Sequence, residues 1–221
     1  MYKPTKPLIA FFRNTSSVGY EKGEIIYRSD VKEASVFYLR SGYVKSYTIK
    51  ENGDTSTLAY YGAHAVFPLR PVLKASGFSP VFTDGSEVYF ETVSDAVLHK
   101  RRQADFIRYI EAQPILYRDV VYMLLDNLEL YISRAEGMEF RYAKQRLAYQ
   151  LLKLAAKFGN NHAKTVEIDL PLTHQELASS LDMARETVSR EIESLKQEGY
   201  LHTIDGKIII LDTDGLADIL Q

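Results

Sequence analysis

Arg185, Glu186, Ser189 and Arg190 are spaced so that one face of a single helix carries all four, and each can hydrogen-bond to the edge of a base pair. An arginine donates two parallel hydrogen bonds to guanine O6 and N7, a glutamate accepts from cytosine N4, and serine or threonine serves bases or phosphates. On this chemistry Arg185, Glu186 and Arg190 are the candidate base readers. Val188, Ile192 and Leu195 recur at steps of four and three on the opposite face, so one side packs while the other stays in water. The competing reading is an amphipathic helix whose Glu and Arg are merely solvated, and the helix taken alone does not choose between the two.

The flanking residues favour a reader. Thr173 and Glu176 have the spacing of a capping box, which starts a helix there, and Leu177, Ala178 and Leu181 give that helix its apolar side. Asp182 marks a tight turn into the second helix. Beyond it, the strand-like runs Tyr200–Ile204 and Lys207–Leu211 flank Asp205-Gly206, a strong two-residue hairpin signal. Two helices followed by a hairpin predict a winged helix-turn-helix, whose wing residue Lys207 can reach a phosphate.

Leu172-Thr-His-Gln-Glu176, Arg185-Glu-Thr-Val-Ser-Arg190 and Glu198-Gly-Tyr-Leu201 resemble the corresponding stretches of the CRP/FNR family of bacterial transcription regulators. Tyr20–Tyr27 and Phe37–Lys45 resemble pieces of that family's sensory β-roll. The resemblance implies a regulator and not an enzyme, with palindromic double-stranded DNA and RNA polymerase as partners. In the family an Arg-Glu-x-x-x-Arg face reads a TGTGA-type half-site and a Glu-x-x-Ser-Arg face a TTGAT-type one; Arg185, Glu186, Ser189 and Arg190 match both. It also implies backbone contacts for Thr187 and His174, the latter standing where arginine is more usual, and Thr173 joins them as a candidate. Two further departures concern the backbone. Asp182 replaces the usual turn glycine, and Ala184 replaces a common serine cap, forgoing roughly 0.5–2 kcal/mol of capping.

From about Val18 to His99, short β-rich runs alternate with turn signals at Lys22-Gly23, Ser41-Gly42 and Asn52-Gly53-Asp54. The runs are Glu24–Tyr27, Ser35–Leu39, Tyr43–Ile49, Thr55–Tyr61 and Glu87–Thr92, an antiparallel roll. The fold class is therefore α+β: an N-terminal antiparallel β-roll over 1–112, a long dimerisation helix and hinge over 113–139, and a winged helix-turn-helix over 140–221. Cyclic-nucleotide members of the family carry Gly-Glu near the end of the roll and then an Arg-Ser or Arg-Thr pair. Here Phe67-Pro-Leu-Arg-Pro-Val-Leu-Lys74 and Gly85-Ser-Glu87 occupy those places, so cyclic AMP is not the expected effector. Another small molecule is, in a pocket formed by Tyr60, Tyr61, Phe67, Leu69, Tyr89, Asn127 and Tyr131, with Arg70 and Lys74 as anion partners. The opposing reading is that these aromatics fill the core of a small roll.

Tyr117, Val121, Leu124, Leu128, Tyr131, Ala135 and Met138 recur at alternating steps of four and three, a heptad seam that predicts a homodimer. A second row, Leu116, Val120, Met123 and Leu130, can face the roll, and Gly137–Phe140 reads as a hinge before the next amphipathic helix. A net charge of −2 gives DNA binding no bulk electrostatic support. Without cysteine, and with five scattered histidines, no disulfide, thiolate-held cluster, metal site or other cofactor is expected. No apolar run approaches a membrane span and no signal peptide is read at the start, so the expected location is cytoplasmic. Two other readings stay open: a constitutively competent regulator, and a ligand-binding module that acts through protein contacts.

Overall fold

The computed structural model describes residues 2–28, 35–69, 87–162 and 165–221. Its N-terminal strands are β1 (Ser17–Tyr20), β2 (Ile25–Arg28), β3 (Ser35–Ser41), β4 (Val44–Ile49), β5 (Thr55–Tyr61), β6 (Val66–Phe67), β7 (Tyr89–Thr92) and β8 (Ala96–Arg102). They form two four-stranded sheets, β1-β8-β3-β6 and β2-β7-β4-β5, which is the expected roll. Three of these strands, β1, β6 and β8, escaped the sequence reading. β6 is two residues long, and the exposed Val18 and charged Lys100-Arg-Arg102 break the alternation in the others.

The roll's interior is aromatic. Phe67 stacks on Phe90 with ring centroids 5.1 Å apart, and Tyr61, Phe37 and Tyr27 pack around that pair. A second cluster joins Val36, Tyr38 and Val66 to helices α1 (Lys6–Arg13) and α2 (Gln103–Glu111), to Leu116 just before α3 (Tyr117–Glu139) and to Met123 within it. Leu116, Val120 and Met123 thus face the roll's core as the second apolar row predicts. Asp119 of α3 is fully buried and accepts from the Tyr2 hydroxyl (2.6 Å), the Thr5 N–H (2.8 Å) and the Thr5 hydroxyl (2.9 Å). Three donors offset the cost of burying a carboxylate and tie the N-terminal segment to the helix.

By contact the chain divides into Met1–Ile49 with Ala59–Glu129, and Lys50–Leu58 with Leu130–Gln221. The sequence-based boundaries follow chain order; these do not, because the tip of the β4–β5 hairpin groups with the C-terminal residues. The second unit continues with α4 (Ala143–Phe158), β9 (Gly159–His162), β10 (Thr165–Ile168), α5 (His174–Leu181), α6 (Arg185–Gln197), β11 (Leu201–Ile204), β12 (Lys207–Ile210) and α7 (Thr213–Asp218). Its sheet runs β11-β12-β10-β9, so the wing hairpin is extended by a second hairpin that the sequence reading did not find. Leu147, Leu151, Leu177, Val188, Ile192, Leu195, Ile208 and Ile210 are buried at its centre. Gly137 stays inside α3, and the helical path breaks at residues 140–142, slightly beyond the expected hinge.

Candidate nucleic-acid interface

Helix α5 begins as its sequence dictates. The Thr173 hydroxyl accepts from the Glu176 N–H (3.1 Å) and the Glu176 carboxylate accepts from the Thr173 N–H (2.8 Å), completing the capping box. Asp182 ends it in the left-handed region (φ 51, ψ 44), which aspartate adopts more readily than most residues. Ala184 precedes α6 and provides no side-chain cap. Asp205 (φ 50) and Gly206 (φ 77) both have positive φ, the requirement of the turn that joins β11 to β12.

Arg185, Glu186 and Arg190 are exposed on α6, opposite the buried Val188, Ile192 and Leu195, so the four-and-three spacing separates a packed face from a free one. Arg190 rests on Glu191 at 3.2 Å, an exposed pair that a stronger partner can displace. Thr173 is exposed, and Thr187, Ser189 and His174 are half-buried. The Ser189 hydroxyl lies 2.8 Å from His174 Nδ1, which joins two residues that the sequence placed on different helices. Burial first, and then the charges of Lys196 and Arg185, hold His174 below the ordinary imidazole range. Lys207 donates to Glu167 (2.5 Å) and Asp169 (3.2 Å). Hydrogen bonds to these two carboxylates raise its pKa, and a phosphate would have to displace them.

The turn carries a network that the sequence reading missed. The Asp182 carboxylate accepts from Lys50 (2.8 Å), Ser56 (2.9 Å) and Arg134 (2.6 Å), while the Ser179 hydroxyl lies 3.1 Å from that of Thr55 and 3.0 Å from that of Thr57. Arg134 also donates to the Thr57 carbonyl. Burial alone would push Asp182 up, but the Lys50 and Ser56 hydrogen bonds and the charges of Arg134 and Lys50 outweigh it and hold the carboxyl below its usual range. The signal was present as an aspartate in a glycine position and a serine on an apolar helix side. Its partners were hidden because they lie more than 45 residues away in sequence.

The seam residues fall into two groups. Tyr117, Val121, Leu128, Tyr131, Ala135 and Met138 are exposed. Leu124 is different: it is partly buried and packs on the core beside Met123. The exposed apolar row runs instead through Val121 (53 % exposed), Leu125 (51 %), Leu128 (52 %) and Ile132 (43 %), still at steps of four and three. Of the expected pocket, Tyr60, Tyr61, Phe67 and Leu69 are buried and Tyr89 stacks on Tyr47 at 5.3 Å. Asn127 accepts from the Tyr61 hydroxyl at 3.5 Å and donates to the Met123 carbonyl at 2.8 Å. Tyr131 is exposed, and Arg70 and Lys74 lie outside the described residues. Among the described residues no group of three His, Asp or Glu could hold a metal ion, and no helix is long and apolar enough to cross a membrane.

Known proteins agree with this architecture. Residues 145–219 match the Crp-like helix-turn-helix domain and residues 17–107 match the cyclic nucleotide-binding domain. The chain belongs to the CRP/FNR family of DNA-binding transcription regulators. Its relatives include the transcriptional regulator SdrP of Thermus thermophilus, 26% identical over 93% of this chain and 94% of that protein. They also include the fumarate and nitrate reduction regulatory protein of Escherichia coli, 24% identical over 90% of this chain and 76% of that protein. Among solved structures, a CooA variant from Carboxydothermus hydrogenoformans superposes with a TM-score of 0.76 at 22% identity, covering 96% of this chain and 90% of its own. A CRP/FNR-family regulator from Thermus thermophilus gives a TM-score of 0.69 at 24% identity, with 93% and 98% covered. SdrP and the Thermus thermophilus structure are named transcriptional regulators and the Escherichia coli relative a regulatory protein, and none of these names denotes an enzyme.

Proposed function

We propose that this CRP/FNR regulator is a non-enzymatic homodimer that binds palindromic double-stranded DNA through paired α6 helices and acts with RNA polymerase. Arg185, Glu186 and Arg190 read bases, Ser189 joins them, and Thr173, His174 and Thr187 lie along the backbone side, with Lys207 as the wing contact. The observation that carries the dimer is the row Val121, Leu125, Leu128 and Ile132, four apolar side chains of one helix left about half exposed. Such a stripe is normally covered by a partner. A second α3 fits it by symmetry, and a two-fold axis would set two reading helices about one turn of DNA apart.

Leu128→Asp tests this. It places a charge in the seam, so sedimentation should show a monomer and DNA affinity should fall by about 100-fold as the two heads lose their linkage. A monodisperse dimer that still binds DNA would exclude the seam.

The effector is a small molecule other than cyclic AMP, on the strength of Phe67-Pro-Leu-Arg and Gly85-Ser-Glu87 standing where the phosphate-binding pair belongs. Calorimetric titration with cyclic AMP should release no heat of binding. A ligand-independent regulator is the second reading, and the mutual packing of Tyr61, Phe67 and Phe90 favours it.

A further inference from the structure

We propose that His174 is a positioning residue that sets the hydrogen-bond polarity of Ser189 and thereby selects the base edge this hydroxyl reads. The inference rests on the proposal that α6 reads DNA and adds a determinant to it. His174 opens α5 and Ser189 lies on α6, so their 2.8 Å contact bridges the two helices on either side of the Asp182 turn. With its pKa depressed, the ring is neutral near neutral pH and has one donor and one acceptor nitrogen. An imidazole lone pair is a better acceptor than a hydroxyl oxygen. The favoured arrangement is therefore Ser189 Oγ–H donating to Nδ1, as serine does beside a histidine base.

The consequence is chemical. A hydroxyl normally donates or accepts as its neighbour requires, and it discriminates poorly between bases for that reason. Once its proton is committed to His174, Ser189 presents lone pairs only. It then favours a base pair that offers an exocyclic amine at that point, adenine N6 or cytosine N4, over thymine O4 or guanine O6. Along α6 the side chains then run donor, acceptor, acceptor, donor through Arg185, Glu186, Ser189 and Arg190.

The experiment selects binding sites from a randomised duplex library with the full chain and compares wild type, His174→Ala, His174→Asn, Ser189→Ala and the double alanine variant, with circular dichroism on each. The wild-type motif should contain one position per half-site where an amine-bearing base is preferred by about fivefold, the scale of a single net hydrogen bond. Ser189→Ala should flatten that position. His174→Ala should broaden the same position toward thymine and guanine, because the freed hydroxyl can donate again. The double variant should do no more than either alone, and His174→Asn, whose Oδ1 can accept, should restore the preference. A uniform loss of affinity in His174→Ala, with the Ser189-dependent position unchanged, overturns the inference and leaves the reading face in place. So does a Ser189→Ala motif identical to wild type. No palindromic motif from wild type removes the proposed function and this inference with it.

Discussion

The interior of the roll and the outer face of α6 both hold large side chains that sequence reasoning takes for binding groups, aromatic in one and charged in the other, and they use them in opposite ways. Inside the roll, Phe67, Phe90, Tyr61 and Phe37 are each other's partners, and Phe67 is 1% exposed. On α6, Arg185, Glu186 and Arg190 meet mainly water. The difference teaches that a cluster of aromatic residues is weak evidence for a ligand, since the rings satisfy one another. A charged face carries more information when the opposite face of the same helix is fully buried and fixes its direction.

The largest effect that would break this contrast is on the roll. Phe67→Ala should cost about 3–5 kcal/mol in urea unfolding, while the fraction that stays folded keeps its DNA preference. A small loss would mean that the ring lines an open pocket and is not a core residue. Arg190→Ala should do the reverse. It should remove about 1–3 kcal/mol of discrimination at one base position, measured by competition between operators that differ at single positions, with unfolding unchanged. Thr173→Ala should cost about 1 kcal/mol of stability through the lost cap, followed by thermal denaturation. A larger drop in DNA affinity than in stability would then identify Thr173 as a contact in its own right.

The smallest effect concerns acid. Because the Asp182 carboxyl is held below its ordinary 3.8 in the folded chain, folding favours its charged form. Its contribution is therefore complete above pH 3.8 and is lost as the pH falls through the lower folded value. The difference in melting temperature between wild type and Asp182→Asn should hold from neutral pH down to about that point and shrink below it. A difference that grows in acid would mean the ties to Lys50 and Arg134 do not act on this carboxylate.

The features legible in the sequence were those whose causes are local. The capping box at Thr173, the left-handed Asp182 and the Asp205-Gly206 hairpin depend on three or four neighbouring residues, and all are present. Residue types at Arg185, Glu186 and Arg190, together with the buried Val188 and Ile192, were enough to orient α6. Leu124 was misplaced for a geometric reason. A seam drawn at 3.5 residues per turn drifts across a helix of 3.6, and the adjacent Leu124 and Leu125 are equally apolar candidates for one position. Only packing against the core separates them. The ties of Asp182 and Ser179 to residues 50–57, and the β9–β10 extension of the wing sheet, join segments that no local pattern links.

Asp182 meets two demands that need not be met by one residue. Its backbone must take a positive φ, which glycine does with less strain, and its carboxylate binds the Lys50–Thr57 segment and Arg134. Glycine in its place would keep the bend between α5 and α6 and remove the carboxylate's share of the tether, leaving the bonds of Ser179 to Thr55 and Thr57 and of Arg134 to the Thr57 carbonyl. A single residue exchange can therefore loosen the tie between the β4–β5 hairpin and α5 without altering a side chain on the outer face of α6.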